Sequence, residues 1–113
     1  MTIAIDKEEP PLRRDETGTI RVGASRITLD IVITAFNMGL SAEVIAEDYP
    51  SITLAEVYAT IAYYLRHRPQ VDAYLAERDD ESRRLRDEIE ARPGYRELKD
   101  RLLARARARG LLP

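Results

Sequence analysis

Apolar residues in the middle of the chain recur at intervals of three and four, most clearly between Leu54 and Leu65. This spacing places them on one face of an α-helix. Near the N-terminus the apolar runs are instead short and partly alternating, which is typical of β-strands. Residues 12–14 and 19–22 flank the polar stretch "DETG", where Gly18 can adopt a positive φ. The pattern predicts an N-terminal β-hairpin followed by helices.

Three hydroxyl side chains, those of Thr28, Ser41 and Thr53, have the sequence context of helix N-caps. An N-cap side chain accepts a hydrogen bond from a backbone N–H that the helix leaves without a partner. Apolar pairs around these positions have the spacing of hydrophobic staples: Ile27 with Val32, Leu40 with Ile45, and Ile52 with Val57. Thr53 and Glu56 also have the spacing of a capping box. The predicted helices cover residues 29–38, 42–48 and 54–68, and the first ends before Gly39.

Pro50 lies between the second and third predicted helices and decides how they are joined. Proline lacks an N–H donor and biases the preceding residue, Tyr49, away from helical dihedrals. Residues 49–52 are therefore expected to form a turn rather than the kink of one long helix. Together with the first helix this gives a trihelical helix-turn-helix core. The predicted fold class is mainly α: a short N-terminal β-hairpin, a homeodomain-like or winged-helix-like core, and a helical C-terminal extension.

Two more helices are predicted after Pro69, over residues 70–92 and 95–109, separated by the stop signal "RPG". The predicted organisation is a hairpin arm (residues 1–26), a helix-turn-helix core (27–69) and a helical extension (70–113). A two-stranded hairpin is marginally stable alone, so it must pack on helices or pair with a second copy. Pairing of two copies points to a homodimer.

Composition excludes several classes of function. The 113 residues suffice for about one domain with a modest core. Cysteine is absent, which excludes disulfides and thiolate chemistry and suits a reducing cytoplasm. The apolar run at residues 3–5 is too short for a signal peptide, and no apolar window is long enough to cross a membrane. We therefore expect a cytoplasmic protein without a membrane partner.

The sequence lacks catalytic and metal-binding patterns. His67 is the single histidine and precedes Arg68 and Pro69 at a predicted helix end, where a cation interacts favourably with the helix dipole. The acids at residues 79–81 stand among arginines in a helix that is expected to be solvated. No phosphate loop, nucleophile elbow or metal-ligand spacing is present. We expect neither an enzyme nor a cofactor or metal site.

An ordered set of motifs between residues 11 and 75 resembles a known bacterial family. The set comprises the turn glycine Gly18, the segment "RITLD", the pair Gly39 and Glu43, the segment "YPSIT" and the tyrosine-rich segment "YATIAYYL". The family is the domain-of-unknown-function family numbered 433, whose members are similar to VapB-type antitoxins and are often encoded beside a PIN-like ribonuclease toxin. The resemblance implies an antitoxin that neutralises such a toxin, with dimeric binding to its own operator DNA as a further expected property.

Two groups of residues are the candidates for DNA contact. Arginines on or beside the hairpin can clamp phosphates if two copies align them, and the start of the third helix can enter a major groove. The candidates are Arg13, Arg14, Arg21, Arg26, Ser51, Thr53 and Tyr58. For the arginines, the alternative is a solvated strand face beside Asp15, Glu16 and Asp30, and Arg26 has the further alternative of capping the first helix or pairing with Asp30 in its first turn. For Tyr58, with Tyr63 and Tyr64, it is packing against the hairpin or a dimer mate.

Basic charge concentrates at the C-terminus, although the whole chain has a net charge of −2. Residues 93–113 carry six Lys and Arg against two acids, a net charge of +4. The last predicted helix combines these cations with apolar residues, so it can lie in a partner's groove while its arginines reach an acidic pocket. The candidate partner-binding residues are Leu98, Arg101, Leu102, Arg105 and Arg109.

The resemblance makes the partner of this helix the carboxylate-rich metal site of a PIN-like ribonuclease. Four alternatives stay open for the helix: packing within its own dimer, disorder until a partner binds, binding at a membrane surface, and binding to nucleic acid. For the chain as a whole, the alternative is an adaptor or structural dimer that never contacts DNA.

Overall fold

The computed structural model describes residues 2–111. It has two strands, β1 (Leu12–Arg14) and β2 (Ile20–Val22), followed by the helices α1 (Leu29–Asn37), α2 (Ala42–Asp48), α3 (Leu54–Arg66), α4 (Arg68–Glu90) and α5 (Tyr95–Ala108). The chain is mainly helical with an N-terminal antiparallel hairpin, which confirms the predicted fold class. Contacts divide it into two compact units, Met1–Asp72 and Ala73–Pro113.

The hairpin is supported by the helices of its own chain. Its strands pair in the register Leu12 opposite Val22, Arg13 opposite Arg21, and Arg14 opposite Ile20. Gly18 has φ +85° in the turn, within the left-handed region that favours glycine. Val22 is fully buried in the core, and Leu12 packs against the same core. This packing supplies the support that an isolated two-stranded hairpin lacks.

Side-chain caps define the starts of α2 and α3. Ser41 Oγ accepts a hydrogen bond from the Val44 backbone N–H at 3.2 Å. At α3, Thr53 Oγ1 accepts from the Glu56 backbone N–H at 3.1 Å, and Glu56 Oε1 accepts from the Thr53 backbone N–H at 2.9 Å. The predicted capping box is therefore complete.

The start of α1 differs from the prediction. Thr28 occupies the N-cap position in an extended conformation, with φ −93° and ψ 157°, but its side chain makes no capping hydrogen bond. Its backbone forms an isolated antiparallel bridge with Arg21 of β2, and the Val22 N–H donates to the Ile27 carbonyl at 2.8 Å. The predicted side-chain cap is wrong because pairing with the hairpin already holds the chain where α1 begins.

Residues 49–53 form a turn between α2 and α3, as Pro50 predicts. The Ile52 N–H donates to the Tyr49 carbonyl at 3.1 Å, and the Ile52 side chain is buried. The bounds of α2 agree with the prediction, whereas α1 and α3 end slightly earlier than predicted. Helix α4 begins at Arg68 rather than after Pro69. Proline is compatible with the first turn of a helix, where its missing N–H would have no intrahelical acceptor.

The core of the first unit is formed by the hairpin and the helices that follow it. Its buried apolar residues are Val22, Leu29, Val32, Ile33, Ala35, Ala42, Ile45, Ile52, Val57, Ile61, Tyr64 and Val71. The predicted apolar stripe of α3 is only partly correct, since Leu54 and Leu65 are 40% and 51% exposed. Thr60 is buried on the other edge of the stripe, and its Oγ1 donates to the Glu56 carbonyl at 2.7 Å. That bond satisfies the buried hydroxyl group.

Candidate functional site

The exposed start of α3 is the surface that a helix-turn-helix protein turns towards DNA. Ser51 and Thr53 are exposed there, but the Thr53 side chain already takes part in the capping box. Tyr58 is 50% exposed, and its hydroxyl donates a hydrogen bond to the Glu43 carboxylate of α2. This hydrogen bond lowers the pKa of Glu43 and raises the pKa of Tyr58. The Tyr58 hydroxyl is thus directed to α2 within the protein.

The helix-turn-helix surface is acidic. Residues 42–66 contain four acids, Glu43, Glu47, Asp48 and Glu56, against a single basic residue, Arg66. Every one of these except Glu56 is exposed. A net charge of −3 on this segment opposes the approach of a phosphate backbone, since non-specific affinity for DNA comes from accumulated Lys and Arg.

Tyr63 and Tyr64 have packing roles. The Tyr64 ring is buried and meets the ring of Phe36 in α1 edge-on, with 6.3 Å between the ring centroids. Its hydroxyl donates to Asp72 Oδ1 at 2.9 Å. Tyr63 stacks on His67 at 4.2 Å between centroids, and His67 Nδ1 lies 3.0 Å from the Tyr63 carbonyl oxygen. The aromatic partner of Tyr64 is therefore Phe36 of α1, a contact that was not predicted from the sequence.

Two of the four hairpin arginines bind the backbone of their own chain. Arg13 donates from Nε to the Gly23 carbonyl at 2.7 Å and from a terminal nitrogen to the Ser25 carbonyl at 2.9 Å. Arg21 donates from a terminal nitrogen to the Arg26 carbonyl at 2.7 Å. Both guanidinium groups therefore fasten the hairpin to the loop that leads into α1.

Asp15 organises the turn of the hairpin. Its carboxylate accepts hydrogen bonds from the Thr17 hydroxyl at 2.7 Å and from the backbone N–H groups of Thr17 and Thr19 at 2.9 and 3.1 Å. Arg21 Nε also donates to it at 2.9 Å. The Thr17 hydroxyl, followed by Arg21 and the backbone N–H groups, holds the pKa of Asp15 well below its usual range.

Arg14 and Arg26 are the two remaining hairpin candidates, and both are exposed. Arg14 ends β1, whereas Arg26 lies in the loop between β2 and α1. Because Arg13 and Arg21 bind backbone carbonyls, Arg14 and Arg26 are the hairpin arginines that remain candidates for phosphate contact.

An acidic segment before the hairpin lies beside the C-terminal half of α3. Asp6, Glu8 and Glu9 line a groove of about 460 Å³ together with α3 residues that include Tyr63 and Arg66. Sequence reasoning missed this placement, because a short acidic segment has neither a helical nor a strand period that would assign it a neighbour. It adds negative charge next to the helix that was the candidate for DNA contact.

In the second unit, α5 presents the predicted partner-binding residues on one face. An α-helix advances about 100° per residue, so four residues of α5 and its C-cap residue Arg109 lie within an arc of about 100°. In order around the helix they are Arg101, Arg105, Leu98, Arg109 and Leu102. Leu98 and Leu102 are 52% and 54% exposed, and no described residue of α5 is buried. Arg96 and Arg107 lie on the opposite face by the same rotation. Exposed leucines and arginines therefore share one surface.

Within residues 2–111, no group of three or more His, Cys, Asp or Glu side chains is arranged to hold a metal ion. Of the acids at residues 79–81, Asp79 forms an exposed ion pair with Arg83 at 2.9 Å. In the same described part of the chain, no helix combines the length and apolar character needed to cross a membrane.

Comparison with known proteins gives a family match for a segment of the first unit. No curated protein and no solved structure matches the chain. The segment that does match a family model begins in the hairpin turn and includes β2, α1, α2 and most of α3. Residues 17–64 match the family described as Protein of unknown function (DUF433), which confirms over that segment the resemblance recognised from the sequence motifs.

Proposed function

We propose that the chain is a non-enzymatic antitoxin whose α5 binds and neutralises a PIN-like ribonuclease. The observation that carries this proposal is the exposed face of α5, where half-exposed Leu98 and Leu102 stand beside Arg101 and Arg105. An amphipathic helix with uncovered apolar residues is suited to a groove on a partner protein. The resemblance to VapB-type antitoxins supplies the class of partner.

The chemistry of this face suits a nuclease whose metal site is built from carboxylates. Leu98 and Leu102 supply apolar area that becomes buried on binding. A guanidinium group forms two parallel hydrogen bonds with a carboxylate and keeps its charge at every physiological pH. Insertion of Arg101 or Arg105 would neutralise the metal-binding acids and exclude the metal ion or the RNA.

The partner-binding prediction is tested with the nuclease that we expect the neighbouring reading frame to encode. Deletion of residues 93–113 should abolish inhibition of RNA cleavage by this nuclease. Arg101→Glu combined with Arg105→Glu should weaken binding about 100-fold or more, since like charges in an interface cost several kcal/mol. Isothermal titration and an RNA-cleavage assay measure the two effects.

The matched control is Arg96→Glu combined with Arg107→Glu, which makes the same change in charge on the opposite face of α5. This variant should bind the nuclease like the natural chain. Inhibition that survives deletion of residues 93–113 would contradict the proposal, as would a neighbouring reading frame that encodes no nuclease.

Autoregulation through operator DNA is the second part of the proposal, and it depends on the hairpin. The α2–α3 surface is acidic, so we assign phosphate contact to the exposed Arg14 and Arg26. Arg14→Ala combined with Arg26→Ala should weaken a mobility shift on the chain's own upstream DNA. A plot of the logarithm of the binding constant against the logarithm of the salt concentration should also become less steep, by about 2 for each protomer. Tyr58→Phe should leave the shift unchanged.

The acidic α2–α3 surface also favours a second candidate function, an adaptor or structural dimer that does not contact DNA. The same mobility-shift measurement separates the two functions. Absence of a shift at low salt, where phosphate contacts are strongest, would overturn autoregulation and favour the adaptor.

A further inference from the structure

The outer side of the α2–α3 turn carries a groove with an apolar floor and an acidic edge. Its volume is about 420 Å³, and it is lined by Glu43, Ala46, Glu47, Pro50, Ile52 and Leu54. Leu54 is 40% exposed, so apolar surface of the groove is open to solvent. Glu43 and Glu47 are exposed and lie one helical turn apart on α2, where such residues are about 5–6 Å apart at Cβ.

The chain itself carries a helix with the complementary pattern. On α5, Arg101 and Arg105 are also one helical turn apart, and they share a face with the half-exposed Leu98 and Leu102. Two arginines at this spacing match two glutamates at the same spacing, while the leucines match the apolar floor of the groove. The two surfaces are therefore complementary in charge, in apolar character and in axial period.

We propose that this groove is a homotypic docking site that binds α5 of a second copy of the chain. A second copy is the occupant because each chain carries both halves of the contact. In a twofold-symmetric pair, the groove of each copy binds α5 of the other copy, so two identical contacts form. No groove and no α5 face then remains for a third copy, and the assembly closes as a dimer. Glu43 keeps one carboxylate oxygen for its hydrogen bond with Tyr58 and offers the other to an arginine.

This inference does not rest on the proposed function, because it concerns contacts between copies of the chain alone. If both hold, docking of α5 in the groove and binding of α5 to a nuclease are mutually exclusive, since both use the face of Leu98 and Leu102. Self-association would then keep that face covered until a nuclease is present.

The experiment is a reciprocal charge reversal in the full chain, followed by sedimentation velocity without any nuclease. One variant carries Glu43→Arg and Glu47→Arg, and the other carries Arg101→Glu and Arg105→Glu. Each variant alone should self-associate about 100-fold more weakly than the natural chain, because both of its contacts would join like charges. An equimolar mixture should restore the dimer, since both contacts then join opposite charges.

Two control variants show whether a loss of self-association is specific to the charges of the proposed contact. Tyr58→Phe removes the hydrogen bond to Glu43 without changing the charge of the groove, and it should leave the dimer intact. Arg96→Glu combined with Arg107→Glu should also leave it intact, because those side chains lie on the other face of α5. Circular dichroism shows whether each variant folds.

A natural chain that is monomeric at all concentrations would overturn the proposal, as would a mixture of the two folded variants that fails to dimerise. If α5 bound the groove of its own chain instead, the natural chain would be monomeric and the proposal would be overturned. Loss of nuclease binding with retained self-association would instead count against the proposed function alone.

Discussion

Replacement of Ile45 by alanine is expected to lower the free energy of unfolding by about 2–5 kcal/mol. Ile45 is fully buried, and with Ala42 it is one of the two buried residues that anchor α2 to the core. The shorter side chain would leave a cavity beneath a helix of seven residues, which is too short to be stable alone. Urea unfolding followed by far-ultraviolet circular dichroism measures the loss.

The matched control for this variant is Val44→Ala on the same helix. Val44 is 38% exposed, so its truncation should cost less than about 1 kcal/mol. Equal losses for the two substitutions would contradict the conclusion that Ile45 anchors α2, and with it the packed helix-turn-helix core.

Gly23→Ala is expected to destabilise the first unit by about 2–4 kcal/mol through two separate effects. Gly23 has φ +58°, a left-handed conformation that costs an alanine about 1–2 kcal/mol. A Cβ atom at this position would also overlap the carboxylate of Glu56. Displacement of that carboxylate would break its hydrogen bond to the Thr53 N–H, so the N-terminus of α3 would lose half of its capping box.

Gly18→Ala isolates the backbone effect, because Gly18 has φ +85° but open space around it. It should cost only about 1–2 kcal/mol. In a chain that already carries Glu56→Ala, Gly23→Ala should cost no more than Gly18→Ala, since no carboxylate remains to be displaced. Thermal and urea unfolding of the natural chain, the three single variants and the double variant measure these costs. If Gly23→Ala lowers the free energy of unfolding of the natural chain no more than Gly18→Ala does, the contact between the added Cβ and Glu56 has no energetic role.

The sequence predicted the helices well where the chemistry of a helix end is local. Thr53 and Glu56 are three residues apart, so both hydrogen bonds of the capping box form as soon as the chain turns. Pro50 acts in the same local way on its own N–H and on the preceding residue. Thr28 has a similar local context, yet its place in the structure depends on a bridge to Arg21 in the preceding hairpin.

The candidate surfaces were predicted less completely, because a charged residue in a sequence does not reveal its partner. From the sequence, Arg13 is a candidate phosphate ligand. In the folded hairpin, its guanidinium donates instead to two backbone carbonyls of its own chain. Tyr58 meets Glu43, which is fifteen residues earlier, only because the turn packs α3 across α2. The residues of α5 are the exception, since helical period alone places them on one face.

The sequence by itself determined the mainly helical fold with its N-terminal hairpin, the turn at Pro50 and the mixed apolar and basic face of α5. Each of these follows from residues within about one helical turn of one another or from the composition of a single element. Only the tertiary structure decided which charges bind the protein itself and which stay on its surface. The reason is that hydrogen bonds of Arg13, Arg21 and Glu43 join groups five to fifteen residues apart, which are brought together by the folded hairpin and by the packing of α3 on α2.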